Sequence, residues 1–320
     1  MSPAPPRLVG DIGATNARFA VLDAELRPAH ARVLACDDYS TIGDAIRAYL
    51  AEEALPLRPR VAALAVASPV TGDQVAFTNH PWIFSIDGLR RELELERLVV
   101  VNDFTANALA MPHLKPDERV AIGGGSPVAG APIAVLGPGT GLGMSGLVPS
   151  NGGWYAIAGE GGHATMPATD AREAEVIAHM RRRFDHVSAE RILSGPGLVD
   201  LYQTLADIEG KPVAPYTAAQ IADRHIGESE PLCATAWAMF CTMLGTVASD
   251  LALTLGARGG VYIAGGIVPR LGAGLADTGF RRRFEDKGRF RGYLAAIPTY
   301  VVMHPIPAFV GLAALLERER

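Results

Sequence analysis

Cysteine is scarce. The 320 residues hold three, Cys36, Cys233 and Cys241, scattered and without a CxxC pair. That excludes a disulfide framework and a zinc knuckle, and it fits a reducing compartment. An excess of positive charge is also lacking. There are 29 Lys and Arg against 34 Asp and Glu, a formal net charge of −5. Such a balance argues against nucleic acid or an anionic membrane as the main partner. No Walker A pattern occurs, because Gly210-Lys211 runs into Pro212, and no GxSxG elbow is present. Met1 to Arg7 is short, Pro-rich and polar, and Asp11 interrupts the first apolar run, so no signal-peptide core is expected there. The longest uncharged stretch, Pro231 to Ser249, has 19 residues, near the length of a membrane span. It carries Thr235, Thr242, Gly245, Thr246 and Ser249 and has no basic flank. A buried core helix is the expectation, in a soluble, cytoplasmic protein.

What is present is apolar material for a large core: AVILMFWYC residues make up 49% of the chain. The length suggests about two domains at roughly 150 residues each. Leu8-Val9 and Phe19-Ala20-Val21-Leu22 flank the Gly-rich turn Gly10–Asn16 and predict a β-hairpin. Helices are expected at Ile42–Glu53 and Ser85–Glu94, with strands at Val61–Ala67 and Leu98–Val101. A helix then starts at Phe104. This alternation indicates an α/β fold. A second Gly-rich hairpin begins with Ile133-Ala134-Val135-Leu136, and its Thr140 lies about 125 residues after Thr15. Two strand–turn–strand units at that spacing suggest two related halves. Further helices are expected at Ala171–Phe184, Gly197–Ile208, Thr217–Ile226 and Leu232–Leu255, then a strand at Val261–Ala264. Glu173 and Glu175 early and Arg181–Arg183 late suit a helix dipole. A final helix, Phe309–Glu319, is expected to pack back on the N-terminal half.

Five constellations could carry chemistry. The turn Gly10-Asp11-Ile12-Gly13-Ala14-Thr15 could lay backbone N–H groups against phosphate, with Asp11 holding Mg²⁺ directly or through water. A plain hairpin with an Asx turn has the same composition. Gly137–Gly143 repeats the pattern around Gly139 and Thr140. Its Gly141, Gly143 and Gly146 match GxGxxG, but Pro149 and Gly152-Gly153 follow where a dinucleotide fold needs a helix. Asn102-Asp103 ends an apolar strand, the edge at which α/β sheets collect ligands. Asp103 there could take a proton from an attacking hydroxyl, could cap the following helix, or both. Glu160 and His163 on a Gly-rich turn, with Glu190, are suited to hydrogen-bonding a polyol. A metal reading of Glu160 and His163 lacks a paired motif such as HExxH. Gly265-Gly266 offers a flat surface for an adenine, or a simple strand-to-helix turn. The remaining histidines have no recognisable partners and are taken as structural.

Taken in order, these residues resemble the bacterial glucokinases of the hexokinase, actin and heat-shock ATPase superfamily. The resemblance is carried by Leu8–Arg18, Ser68-Pro69-Val70-Thr71-Gly72-Asp73, Thr78-Asn79-His80-Pro81-Trp82 and Asn102–Ala106. It continues through Gly139–Gly143, Gly159–His163, Ser188–Gly197 and Ala264–Pro269. It implies a two-domain actin-like ATPase (ribonuclease H-like) α/β fold with an interdomain cleft. The domains would be 1–112 plus about 302–320, and 113–301. It implies ATP- and Mg²⁺-dependent phosphorylation of glucose at its 6-hydroxyl, and a homodimer. Asp103 matches the catalytic base. Asn102, Asp103, Glu160, His163 and Glu190 match the glucose ligands. Gly10 to Thr15, Gly139, Thr140, Gly265 and Gly266 match the nucleotide site, with Asp11 near Mg²⁺. Two departures stand out. Ala14 replaces a common Gly, which requires a negative φ there, and Pro138 removes one backbone donor from the second turn. The zinc signature CxCGxxGCxE of the related kinase and repressor group is absent.

Two other classes share parts of this pattern. An ATP-driven filament or chaperone protein of the same fold needs no sugar-binding carboxylates such as Glu160 and Glu190. A sugar-sensing repressor needs an N-terminal helix-turn-helix, and only about seven residues precede the first expected strand.

Overall fold

The computed structural model describes residues 6–53, 57–151 and 153–318. Met1 to Pro5, Gly152 and Glu319, which enter the expectations above, lie outside the described residues, as do the side chains of residues 224–226, His225 among them. Two compact units are present: Met1–Leu114 with His304–Arg320, and Lys115–Met303.

Unit 1 opens with the expected hairpin, β1 (Arg7–Ile12) and β2 (Asn16–Leu22), followed by β3 (Pro28–Ala35) and α1 (Ile42–Glu52). Next come β4 (Val61–Val66), the ribbon β5 (Gln74–Ala76) with β6 (Ile83–Ser85), α2 (Ile86–Glu92), β7 (Arg97–Asn102) and α3 (Asp103–Ala110). The main sheet runs β3-β2-β1-β4-β7. Its first two pairings are antiparallel and its last two, β1–β4 and β4–β7, are parallel. Parallel strands covered on both faces read as continuous apolar runs, and β4, Val-Ala-Ala-Leu-Ala-Val, is buried from Ala62 to Val66. Successive side chains alternate between faces. Leu8, Ile12, Leu64 and Val66 therefore pack with Ile42, Ile46 and Tyr49 of α1 on one side.

Unit 2 contains β8 (Arg119–Ile122), β9 (Ile133–Pro138), β10 (Leu142–Ser150), β11 (Gly153–Gly159), α4 (Ala171–Met180), α5 (Gly195–Glu209), α6 (Ala218–Ile221) and α7 (Arg224–Ser229). It closes with α8 (Pro231–Leu255), β12 (Gly260–Ile263), α9 (Phe280–Glu285), α10 (Arg291–Ala295) and β13 (Thr299–Val302). Its sheet runs β11-β10-β9-β12-β13-β8. The first five strands repeat the unit 1 sequence of two antiparallel and two parallel pairings. The expected repeat is thus a repeat of topology.

Helix α8 is long and apolar enough to cross a membrane by length and composition alone. Here Leu232, Phe240, Leu244 and Ala248 join the buried core of unit 2, as expected for a core helix. Two expectations change. The helix expected over Thr217–Ile226 is two short ones: a single turn opened by the Thr217–Gln220 capping box and ending at Ala222, then Arg224–Ser229. Helix α4 stops at Met180, leaving Arg182 and Arg183 in the turn beyond it. Glu173 does more than face the dipole. It is buried, accepts from Thr169 N–H at 2.8 Å and pairs with Arg283 Nη1 at 2.6 Å.

The last helix, α11 (Pro307–Arg318), returns to unit 1 as expected. It covers the second face of the sheet, packing Phe309, Leu312 and Leu316 on Val9, Ala63 and Ala65. Arg7 Nη1 donates to Leu316 O at 3.0 Å. Its crossing with α3 is backbone to backbone: a Cβ on Gly311 would stand 1.8 Å from Ala106 O. Gly311→Ala is therefore expected to cost about 1–3 kcal/mol through overpacking. Calorimetry should show a lower Tm. An unchanged Tm would mean that the helices do not cross this closely.

Candidate functional site

Parallel pairing brings three strand ends of unit 1 to one level. Ile12 aligns with Val66, and Val66 aligns with Asn102. The turn after β1, the segment after β4 and the start of α3 therefore share the carboxyl edge of the sheet. Ala67 N–H donates to Ile12 O at 3.0 Å, and Asn102 Nδ2 donates to Ser68 O at 3.4 Å. Ser68 Oγ in turn accepts the Thr78 N–H at 2.9 Å, fixing the Thr78–Trp82 loop at this edge.

Within the first turn, Gly13 N–H donates to Asn16 O at 2.9 Å, closing the hairpin. Gly10 is a packing glycine, since a Cβ there would lie 2.7 Å from Leu64 Cδ2. Ala14 is not among the described residues with positive φ, so its methyl fits the turn. Cys36 secures the turn from beneath, its N–H donating to Thr15 O at 2.9 Å and its Sγ lying 3.5 Å from Gly13 O.

Asp11 Oδ2 accepts from Arg18 Nη1 at 3.1 Å. Burial raises the Asp11 carboxyl above its ordinary value, and the Arg18 guanidinium works against that shift. Arg18 had not been singled out in the sequence. Its signal lay in the hairpin register, because the four residues 13–16 set Ile12 opposite Ala17 and hence Asp11 opposite Arg18.

The cap of α3 is Asn102, not Asp103. Asn102 Oδ1 accepts from Phe104 N–H at 2.9 Å and Thr105 N–H at 3.4 Å. Asp103 is the first helical residue, and its Oδ1 accepts the Phe104 N–H at 2.9 Å. Capping needs an extended backbone, which Asn102 has at φ −64° and ψ 149°. The carboxylate at 103 thus stands at the positive end of a helix dipole without being the cap.

Unit 2 gathers its candidates around the turn between β9 and β10. Gly139 N–H donates to Gly141 O at 2.8 Å, and Gly195 N–H donates to Gly139 O at 2.8 Å. Gly265 adopts φ +86°, and a Cβ there would stand 2.4 Å from Pro138 O. Only glycine fits this contact. Gly266 faces open space. Strand β10 begins at Leu142, so Gly143 and Gly146 are strand residues and the GxGxxG match opens no helix.

Glu190 Oε2 accepts the Leu142 N–H at 2.8 Å, and Oε1 lies 3.8 Å from His163 Nδ1. Glu190 N–H donates to Gly162 O, and His163 N–H donates to Glu160 O. Glu160 and His163 are exposed, and Glu190 is half-buried. Thus Gly10–Thr15 with Asn102 and Asp103 are grouped in unit 1. Gly139, Thr140, Gly265 and Gly266 with Glu160, His163 and Glu190 are grouped in unit 2.

A family model described as glucokinase matches residues 8–319. The glucokinase of Aromatoleum aromaticum is 55% identical over 313 residues, covering 98% of this chain and 95% of that protein. That of Paramagnetospirillum magneticum is 53% identical over 310 residues, 97% of each chain. Among solved structures, a glucokinase from an Antarctic psychrotroph superposes with a TM-score of 0.87 at 35% identity, covering 98% of this chain and 99% of that one. A ROK family glucokinase from Streptomyces griseus, solved with glucose and AMPPNP, shares the fold alone, at a TM-score of 0.65 and 18% identity over 98% of this chain and 100% of that one. The fold is therefore that of the actin-like sugar kinases. With a match running from the first strand to the last helix and more than half of the residues shared with such relatives, the chain belongs to the glucokinase family.

Proposed function

We propose that this chain transfers the terminal phosphate of ATP to the 6-hydroxyl of glucose, giving glucose 6-phosphate and ADP, the first step of glycolysis. Family membership carries the reaction. The observation that supports the catalytic assignment is the division of labour at the end of β7. Asn102 is the cap of the helix, and Asp103, its first helical residue, is assigned as the base. Asp103 accepts the proton of the 6-hydroxyl as that oxygen attacks the phosphorus, and ADP leaves on the far side. Asn102, Asp103, Glu160, His163 and Glu190 hold the sugar. The backbone of Gly10–Thr15 and of Gly139–Thr140 receives the phosphates, and Gly265-Gly266 the adenine.

Among the described residues, no three His, Cys, Asp or Glu side chains form a metal cage. A Mg²⁺ ion would arrive with the ATP phosphates and use Asp11 directly or through water, the usual way Mg²⁺ is held beside a nucleotide. Asp11 fits, as a carboxylate one residue before the end of strand β1 and beside the Gly13–Thr15 turn. When bound, the ion neutralises charge developing on the phosphates. The three cysteines are free and buried, which supports a reducing, cytoplasmic setting. Resemblance to the family supports a homodimer. A filament or chaperone ATPase would have no use for the polar cluster around Glu190.

Asp103→Asn is expected to lower kcat by about 10²–10⁴-fold, the range for loss of a general base, while glucose binding stays within about tenfold. Steady-state rates with isothermal titration of glucose check this. Turnover within about fivefold of the parent would remove Asp103 from the role of base.

A polar cluster that pairs ring hydroxyls leaves groups unpaired when one hydroxyl is inverted. Glucose should therefore exceed mannose and galactose by at least about tenfold in kcat/KM, since 1.4 kcal/mol is tenfold. Glu160→Gln should lower kcat/KM for glucose and change the KM for ATP little. The reverse pattern would move Glu160 to the nucleotide side.

A further inference from the structure

The Glu190 carboxylate faces two groups at once. Oε2 takes the N–H of Leu142, the first residue of β10 after the Gly139–Gly141 turn. Oε1 is directed toward the His163 ring at 3.8 Å. The Glu190 N–H bonds to Gly162 O at 2.8 Å, which ties residue 190 to the Gly161–His163 segment. The packing leaves little slack. A Cβ on Gly141 would stand 2.4 Å from Glu190 Oε2, and one on Gly162 would stand 2.0 Å from Leu142 O.

From this arrangement we propose that Glu190 is a positioning residue that couples the sugar cluster to the phosphate turn. One oxygen holds the Leu142 N–H, and with it the Gly139–Gly141 backbone, in the form that receives phosphate. The other oxygen meets the sugar beside His163. This rests on the reading above, in which the turn binds ATP phosphates and Glu190 and His163 bind glucose.

A hydrogen bond from an amide to a carboxylate is charge-assisted and stronger than a neutral one. The turn itself is otherwise a string of small residues, Gly139-Thr140-Gly141, with a large entropy to lose when it is ordered. Glucose that engages Oε1 fixes the Glu190 rotamer, and Oε2 then holds the turn more of the time. Nucleotide binding benefits, and linkage requires that glucose affinity rise by the same factor when nucleotide is bound.

The test is calorimetric titration of AMPPNP with and without saturating glucose, on the full chain and on variants whose Tm shows that they fold. The parent should bind AMPPNP about fivefold or more tightly with glucose present. Glu190→Ala should weaken AMPPNP binding about fivefold even without sugar, and should erase the effect of glucose. Glu190→Gln keeps an oxygen for the Leu142 N–H. It should restore sugar-free AMPPNP binding to within about twofold of the parent while glucose binding stays weakened. Gly141→Ala displaces Oε2 without removing the carboxylate, and should also weaken sugar-free AMPPNP binding. Parent-like AMPPNP affinity in both Glu190→Ala and Gly141→Ala, measured without sugar, would overturn the proposal. A parent that binds AMPPNP but no glucose would instead overturn the sugar reading, and the sugar-free comparison would still decide whether Glu190 supports the turn.

Discussion

Parallel strands that end at the same level are the constraint on which the rest of unit 1 depends. In β1–β4–β7 the register holds Ile12, Val66 and Asn102 side by side. The three strands run in the same direction, so each leaves the sheet at that edge. The first exit is a tight turn into β2, the second passes Ser68, and the third enters α3. Hydrogen bonds between the exits, from Ala67 N–H to Ile12 O and from the Asn102 side chain to Ser68 O, make the edge one connected surface. A register slip of one residue in β7 would swap the faces of Val99 and Val100, and would carry Asp103 off this edge.

The burial of that ladder is what makes the register firm. Leu8, Val9, Ile12 and Ala62 to Val66 have no exposed surface, with α1 on one face and α11 on the other. Small residues let the helices approach: Ala63 and Ala65 lie under α11, and Gly311 meets the backbone of α3. The last helix of the chain thus clamps the helix that begins with Asp103. A carboxylate used as a base needs such support, since misplacement by an ångström can cost a hundredfold in rate.

Much of this was legible in the sequence. Both hairpins, the strand ending at Asn102, the core helix at 231–255 and the returning C-terminal helix follow from apolar runs broken by Gly, Asn and Asp. Matches spread along the chain pointed to the family. What was not legible depends on register and long-range contact. Asn102 and Asp103 are both good caps, and only the backbone angles decide between them. Arg18 became visible as the partner of Asp11 once the hairpin register was known. Glu173 reads as a dipole charge until Arg283 arrives from 110 residues away. Thr217–Ile226 has helical composition throughout, yet the first helix ends after one turn at Ala222, and nothing in the composition marks that break. Glu190 reads as a sugar ligand, and nothing within its own segment announces the Leu142 N–H 48 residues before it.

Pro138 shows why that amide needs Glu190. Gly139 N–H bonds to Gly141 O across the turn. Opposite pairs in an antiparallel ladder alternate between bonded and unbonded. The next pair, Pro138 and Leu142, is therefore of the unbonded kind. A proline at 138 removes no bond to β10 from the ladder. By the same alternation the Leu142 N–H points away from β9, toward the side where β11 has already ended. No strand is there to receive it, and a buried amide without a partner costs about 1–3 kcal/mol. Glu190 fills that gap with a side-chain oxygen, and Gly162 leaves room for the Leu142 carbonyl beside it. The features that make the second turn tolerant of proline are thus the ones that hand its first strand amide to a residue of the sugar cluster.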